Sequence, residues 1–256
     1  MPIVTLSTKV YSDLQLKLID KLLESMLKGL KVDTEIRGVT PRRWVRIEVS
    51  DEDEKVALHY IADEIGICPT LLKNVEKFST LRGYVSSIDK KELRVDVGVF
   101  SPNTIDATVS LQHLQAQLAD GRKIALKKLA ELFGFCQNLP LTVKVHSVNK
   151  ENSHIEAVLS EKQVTLYRSW TKSLLDRLII LGASSNEVML ALKQARCNRD
   201  VVDVEPLGLF EHAIVCKLGT DAKGLIPKIG KKLRNANFSI FNPRKILNFL
   251  GDYAIL

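Results

Sequence analysis

The residues in this sequence whose type and spacing could do chemistry are cations near its end. Lys217, Lys223, Lys228, Lys231, Lys232, Arg234, Arg244 and Lys245 are opposed only by Asp221, a local +7 that equals the net charge of the whole 256-residue chain. Positive charge at that density draws phosphate backbones by Coulomb attraction and counterion release. Asn235, Asn237, Phe238, Phe241 and Asn242 are interleaved with it, and such aromatics and amides can stack on and hydrogen-bond to unpaired bases. The alternative is a plain solvated helix face. The excess also grows along the chain, from 10 basic against 12 acidic residues over 1–66 to 15 against 9 over 161–256.

Other reactive groupings are weaker. There is no Gly-x-Gly-x-x-Gly, phosphate-loop lysine motif, His-Glu-x-x-His or Gly-x-Ser-x-Gly, so nucleotide, metalloprotease and hydrolase readings lack their sequence support. His212 and Cys216 lie four apart on an expected strand, about 13 Å, which is too far to share a metal. Asp33/Glu35 and Asp203/Glu205 each share a strand face, as a metal-dependent nuclease would need, but surface strand acids are far commoner. His113 could meet RNA, His146 reads as structural, and a turn before a helix at Gly219–Gly224 could hold one phosphate, although Asp221 opposes an anion. The four cysteines, Cys68, Cys136, Cys197 and Cys216, are widely separated and fit neither a disulfide framework nor a zinc site. No catalytic residue, metal or cofactor is expected.

These residues must be positioned by a chain that is 45% apolar and 26% charged, a composition that builds cores and argues against disorder. The N-terminus lacks a signal-like leader and no window approaches a membrane span, so a cytoplasmic location is expected. Over 1–68 the pattern is strand 3–9, a helix opened by Ser12–Asp13 with Leu18, Ile19, Leu22, Leu23, Met26, Leu27 and Leu30 on one face, strands 31–37 and 43–49, and a helix over 52–65. That βαββα order predicts a ferredoxin-like module with two helices on one face of an antiparallel sheet.

After a linker near Pro69–Ser79, alternating runs at 81–89, 93–98, 108–111, 141–148 and 154–160 predict a small closed barrel over 79–164. A basic amphipathic helix from Arg122 to Phe133 interrupts it. Gly83–Tyr84–Val85, Val95–Asp96–Val97–Gly98 and Leu159–Ser160 resemble the ribosomal-protein S-one type RNA-binding barrel, an OB fold. The resemblance implies single-strand binding by sheet-face aromatics and flanking cations. Here the sequence departs from the family pattern, leaving Tyr84 and Arg94 as the stacking groups.

The last segment, 168–256, predicts a helical hairpin followed by a basic α/β module. A helix over Ser169–Leu181 is ended by Gly182, and Ser184 with Glu187 has capping-box spacing for a second helix to Arg196. Strands 200–205 and 212–218, a helix 222–234, a strand 237–241 and a helix 243–250 follow. A shift of 170 positions brings Val32, Asp33, Glu35, Gly38, Val45 and Asp51 onto Val202, Asp203, Glu205, Gly208, Val215 and Asp221, an echo of the first module. The longer motifs at Leu111–Gly121 (LQHLQAQLADG), Asp176–Ile179 (DRLI), Glu205–Gly208 (EPLG) and Val215–Pro227 (VCKLGTDAKGLIP) resemble an archaeal domain-of-unknown-function family, number 2110. That resemblance implies an archaeal cytoplasmic setting and carries no activity with it.

The expected fold class is thus α+β, and the expected function is non-enzymatic binding of single-stranded or structured RNA in translation or RNA processing, with the ribosome or a processing complex as partner and no membrane. The candidate contacts are Arg82, Arg94, Lys123, Lys127, Lys231, Lys232, Arg234, Arg244 and Lys245, with Tyr84 and Phe241 for stacking. Two alternatives stand beside it. One is a protein–protein adaptor of the transcription or translation machinery using the acidic rim of the N-terminal module and Arg42–Arg43–Trp44, and the other is a helix-turn-helix DNA binder built on the predicted hairpin.

Overall fold

The computed structural model describes residues 2–251, which divide into two compact units. One holds the chain up to Asn74 together with Gly98–Thr104, and the other holds Val75–Val97 and everything from Ile105. The chain is mixed α+β, with a closed five-stranded barrel in its middle.

In the first unit, β1 (Ile3–Lys9), α1 (Leu14–Met26), β2 (Asp33–Val39), β3 (Trp44–Ser50) and α2 (Glu54–Glu64) follow one another, and the antiparallel sheet has the order β1-β3-β2. Ile19, Leu23 and Leu27 of the predicted stripe are buried, whereas Leu18 is exposed. Asp13 stands at the start of α1 but makes no capping hydrogen bond; its carboxylate accepts from Arg43 Nη2 at 3.1 Å instead. Beside β1, a fourth strand is reduced to the single bridge Leu6–Ile67. Trp44 is fully buried with Lys9 Nζ 5.0 Å from its ring centre, and Arg43 also donates to the carbonyl of Val10. Most of the Arg42–Arg43–Trp44 run is therefore spent on folding and is not the free adaptor surface that its composition predicted.

A two-residue strand, β4 (Thr70–Leu71), follows α2, and the barrel consists of β5 (Thr80–Ile88), β6 (Glu92–Ser101), β7 (Ile105–Ser110), β8 (Pro140–Asn149) and β9 (His154–Leu159). Neighbours run β6-β5-β8-β9-β7, and the β6–β7 pairing closes the circle. Alternate residues such as Val95, Val97, Val143 and Val145 fill it, which is why each strand reads as an apolar run with period two. Gly83 is required by that closure, since a Cβ there would stand 2.5 Å from the carbonyl oxygen of Asp96. The insertion holds two helices, not the single one expected. Ser110 ends β7 because its hydroxyl accepts from the amide of His113, starting α3 (Leu111–Ala119). Residues 122–125 precede α4 (Leu126–Phe133), where extended Ala125 marks the real start.

Of the predicted helix over 169–181 only residues 169–172 are helical, as the end of a helix that starts earlier. Ser160 caps α5 (Glu161–Lys172) through the amide of Gln163, and Arg177–Leu181 form a strand, β10, buried at all five positions. A short run that is apolar on both sides satisfies helical and buried-strand patterns equally. With β10 between α5 and the next helix, the two-helix hairpin and the DNA-reading motif built on it are corrected. The rest follows as α6 (Ser185–Gln194), β11 (Val201–Pro206), β12 (Glu211–Cys216), α7 (Ala222–Ile229), β13 (Asn237–Phe241) and α8 (Pro243–Leu250). Ser184 and Glu187 form the capping box that their spacing predicted.

The C-terminal sheet has the order β11-β12-β10-β13 and is antiparallel throughout. Leaving out β13, its order and its β-α-β-β-α connectivity are those of the first unit. Equivalent elements start 174, 171, 168, 167 and 168 residues apart. The 170-residue echo lies within this range without coinciding with the offset of either strand pair it spans. One face of the sheet packs Leu178, Ile180 and Ile214 against Val188, Leu192, Leu225 and Ile229 of α6 and α7. On the other face Phe241 stacks on Tyr167 at 5.9 Å and meets Trp170 edge-on at 5.1 Å.

Candidate nucleic-acid interface

On the outer surface of the first three barrel strands, Arg94 Nε donates to Glu92 at 2.7 Å and lies 3.6 Å from Asp89. The hydrogen bond to Glu92 is the main cause that raises the Arg94 pKa and keeps its charge engaged. Close by, Ser86 donates to Asp106 at 2.7 Å. Three carboxylates against one guanidinium repel a phosphate backbone. Tyr84 is fully buried and offers no face to a base, so the expected stacking role is corrected. Arg82 donates to the backbone carbonyl of Leu207.

The cations gather elsewhere in the same unit. α4, the loop after β12, the starts of α7 and α8, and the edge strand β13 enclose an open cleft of 860 Å³. Lys127, Lys217, Lys223, Arg244 and Lys245, all exposed, line it together with Glu131, Asp176 and Asp221. Its apolar lining includes Ile226, Phe238 and Ile240, each half-buried, and exposed Leu174.

The helix ends at this cleft are already capped. Asp221 accepts from the amide of Lys223 at 2.9 Å, and Asn242 accepts from the amide of Lys245 at 2.9 Å. Asn242 Nδ2 in turn donates to Asp176 at 3.0 Å, and the Ala222 amide donates to the same carboxylate oxygen at 3.4 Å. Burial is the main cause that raises the Asp176 pKa, and it outweighs the pull of the Ala222 amide. Within the Gly219–Gly224 turn, the Thr220 and Gly224 amides are bonded to Lys217 and Asp221 carbonyls. The turn does not present the row of free amides that a phosphate loop needs. An anion entering here meets lysine and arginine side chains.

The structure brings together three of the predicted contacts, Lys127, Arg244 and Lys245, and adds Lys217 and Lys223 to them. Lys232 and Arg234 instead line a smaller pocket of 260 Å³ with Glu187 and Gln194, while Lys123 and Lys231 are exposed outside both. Phe241 is fully buried in the aromatic cluster, which corrects its stacking assignment. The aromatics that line the cleft are half-buried Phe238 and buried Phe135. Phe238 and Phe241 are three apart on a strand and face opposite sides, a distinction that strand alternation carries once β13 is placed.

Three family models match the chain in series: the DUF2110 N-terminal domain over residues 3–70, the DUF2110 central domain over 75–171 and the DUF2110 C-terminal domain over 175–241. The chain belongs to the DUF2110 family. The DUF2110 central domain contains the closed barrel and its helical insertion, and the DUF2110 C-terminal domain contains most of the cleft. No curated protein matches the chain. Among solved structures it is similar to the intact alpha subunit of aIF2 from Pyrococcus abyssi, at 11% identity over 65% of this chain and 96% of that one, with a TM-score of 0.27. A putative exosome complex RNA-binding protein matches at 10% identity over 68% and 93%, also with a TM-score of 0.27. A third match is the a/eIF2alpha–aDim2p–rRNA complex from Pyrococcus horikoshii OT3, at 12% identity, 48% and 64% coverage, and a TM-score of 0.27.

Proposed function

We propose that this DUF2110 protein is a non-enzymatic RNA-binding protein of the archaeal cytoplasm, acting in translation or RNA processing and gripping RNA phosphates at the C-terminal cleft. The observation that carries this reading is convergence. Lys127 comes from α4, Lys217 from a loop, Lys223 from α7, and Arg244 and Lys245 from α8, yet all five line one cleft. A solvated lysine run on one helix would have no reason to collect at a concave surface from four separate segments. On this reading the barrel is an S-one type OB fold serving as a platform, and the two flanking modules are ferredoxin-like.

Binding to labelled RNA, followed by anisotropy across a salt series, tests the reading. Changing Lys217, Lys223 and Lys245 to glutamate is expected to abolish tight binding, while single Lys→Gln variants should each reduce the salt slope by about 0.7 on a single strand. Glutamates at Lys231, Lys232 and Arg234 should have the smaller effect. Absence of salt-sensitive binding at low ionic strength would overturn the proposal. An adaptor reading then gains weight from the first unit, where exposed Leu14 and Leu18 on α1 and Val56 and Tyr60 on α2 form apolar pairs at helical spacing.

A further inference from the structure

Resting on the RNA-binding reading, we infer that the C-terminal cleft selects single-stranded RNA by taking an unpaired base against Phe238 while its rim holds the adjoining phosphates. Two kinds of surface meet in this cleft. It carries Lys127, Lys217, Lys223, Arg244 and Lys245 against Glu131, Asp176 and Asp221, and its apolar lining includes Ile226, Ile240, Leu174 and the rings of Phe135, which is buried, and Phe238, which is the more exposed. A site for phosphate alone has no use for apolar lining, and a site for an apolar ligand alone has no use for five cations. A nucleotide has both characters.

Size and shape point the same way. At 860 Å³ the cleft lies within the ~300–1,000 Å³ typical of small-ligand sites, which admits a few linked groups and not the side of a double helix. In an A-form duplex the bases are stacked and paired inside, so only phosphates and the shallow groove would reach the rim. A single strand can turn one base inward. Thr220 and Asp176 lie along the same surface with a hydroxyl and a carboxyl group for a base edge, while Ser239 donates to the Gly134 carbonyl and Asn242 to Asp176. Asp176 accepts from Asn242 and from the Ala222 amide, so its carboxyl group is held in place at the junction of α7 and α8. β13 is also an edge strand, and edge strands offer main-chain donors and acceptors to whatever lies beside them.

The full chain is titrated with a single-stranded RNA, a duplex RNA of the same sequence, an abasic single strand and polyglutamate. Phe238→Leu keeps an apolar residue where the ring packs toward α7 but removes its π-face, and Phe238→Ala removes the ring. Circular dichroism and thermal unfolding of both report whether the fold survives. The expected result is that Phe238→Leu weakens single-strand binding roughly fivefold to a hundredfold, the range of base stacking on aromatic residues. Its binding to the abasic strand and its salt slope should stay unchanged. Equal affinity for duplex and single strand, or an equal loss on the abasic strand, would overturn the inference and leave the RNA-binding reading intact. Polyglutamate binding as tight as RNA would assign the cleft to an acidic peptide and overturn both. If no nucleic acid binds, the functional reading itself fails.

Discussion

The N-terminal and C-terminal modules of this DUF2110 protein share one connectivity and differ in what was added to it. In the first unit the sheet stops at the bridge Leu6–Ile67, and β2 and β3 turn Glu35, Arg37, Arg46 and Glu48 to one face, with Arg37 paired to Glu35 and Glu48. In the C-terminal module the fourth strand, β13, is complete, and the corresponding face carries Arg177, Ile179 and Phe241 beneath an aromatic cluster. Arg177 is buried, pairs with Glu205 at 3.2 Å and stands 4.9 Å from the ring centre of Trp170. One βαββα plan thus supports a charged sheet face in one place and a fully covered sheet in the other. The addition of β13 and α8 is also what gives the C-terminal module its cleft. Shared connectivity fixes where strands lie, and the residues facing away from the helices decide what the module can do.

The largest test of this contrast is to remove one side chain from each face. Phe241→Ala should cost about 3–5 kcal/mol, as large aromatic truncations in cores do, because the rings of Phe133, Tyr167 and Trp170 each lose a partner. Arg37→Ala should leave the unfolding midpoint nearly unchanged, since its ion pairs are half exposed. Chemical denaturation measures both, and similar losses would show that the charged face is as tightly covered as the aromatic one.

A second test uses pH. His212 on β12 is buried, and burial lowers its imidazole pKa, overcoming its hydrogen bond with the Ala183 backbone. The unfolded chain therefore binds a proton near the ordinary histidine value of ~6.5, while the folded chain does so only at lower pH. Stability should be intact above that value and fall as the pH drops from 7 to 5. Burial also pushes the Cys216 thiol, at the far end of the same strand, up to about 12, so unfolding should become easier above pH 9, where the unfolded thiol ionises first. Urea midpoints at pH 5, 7 and 10 for the native chain, His212→Gln and Cys216→Ala check both arms. Unchanged slopes in the variants would assign the pH response to other groups.

The smallest effect compares the two first helices of the modules. Ser184→Ala removes the capping box of α6 and should cost about 1 kcal/mol. Asp13→Ala at α1 removes no cap bond, only an exposed pair with Arg43, and should cost a few tenths. Equal losses in thermal unfolding would mean that α1 is capped in solution by a group other than the one its sequence suggests.

Local signals carried much of this fold. Alternating valines announced the barrel strands, Ser184 and Glu187 announced the start of α6, and the stripe ending in Leu23 and Leu27 announced α1, because each rests on contacts within a few residues. The failures have a common cause. Arg177–Leu181 read as helix because a strand buried on both faces has no polar side to reveal its period. Tyr84 and Phe241 read as stacking groups because aromatic character is visible in a sequence and burial is not.

The sequence by itself determined the α+β class, the barrel strands, the βαββα order of the first module and the concentration of cations near the C-terminus, since composition and short-range periodicity specify these. Only the tertiary structure decided which cations act together. Lys127 lies 90 residues before Lys217, and Lys231 lies closer in sequence to Lys223 than Lys127 does, yet Lys127 shares the cleft and Lys231 does not. The physical reason is that a charge cluster is a matter of distance through space. Those distances were set by the packing of α4, α7 and α8 around β13, through apolar contacts that the charged residues do not themselves make.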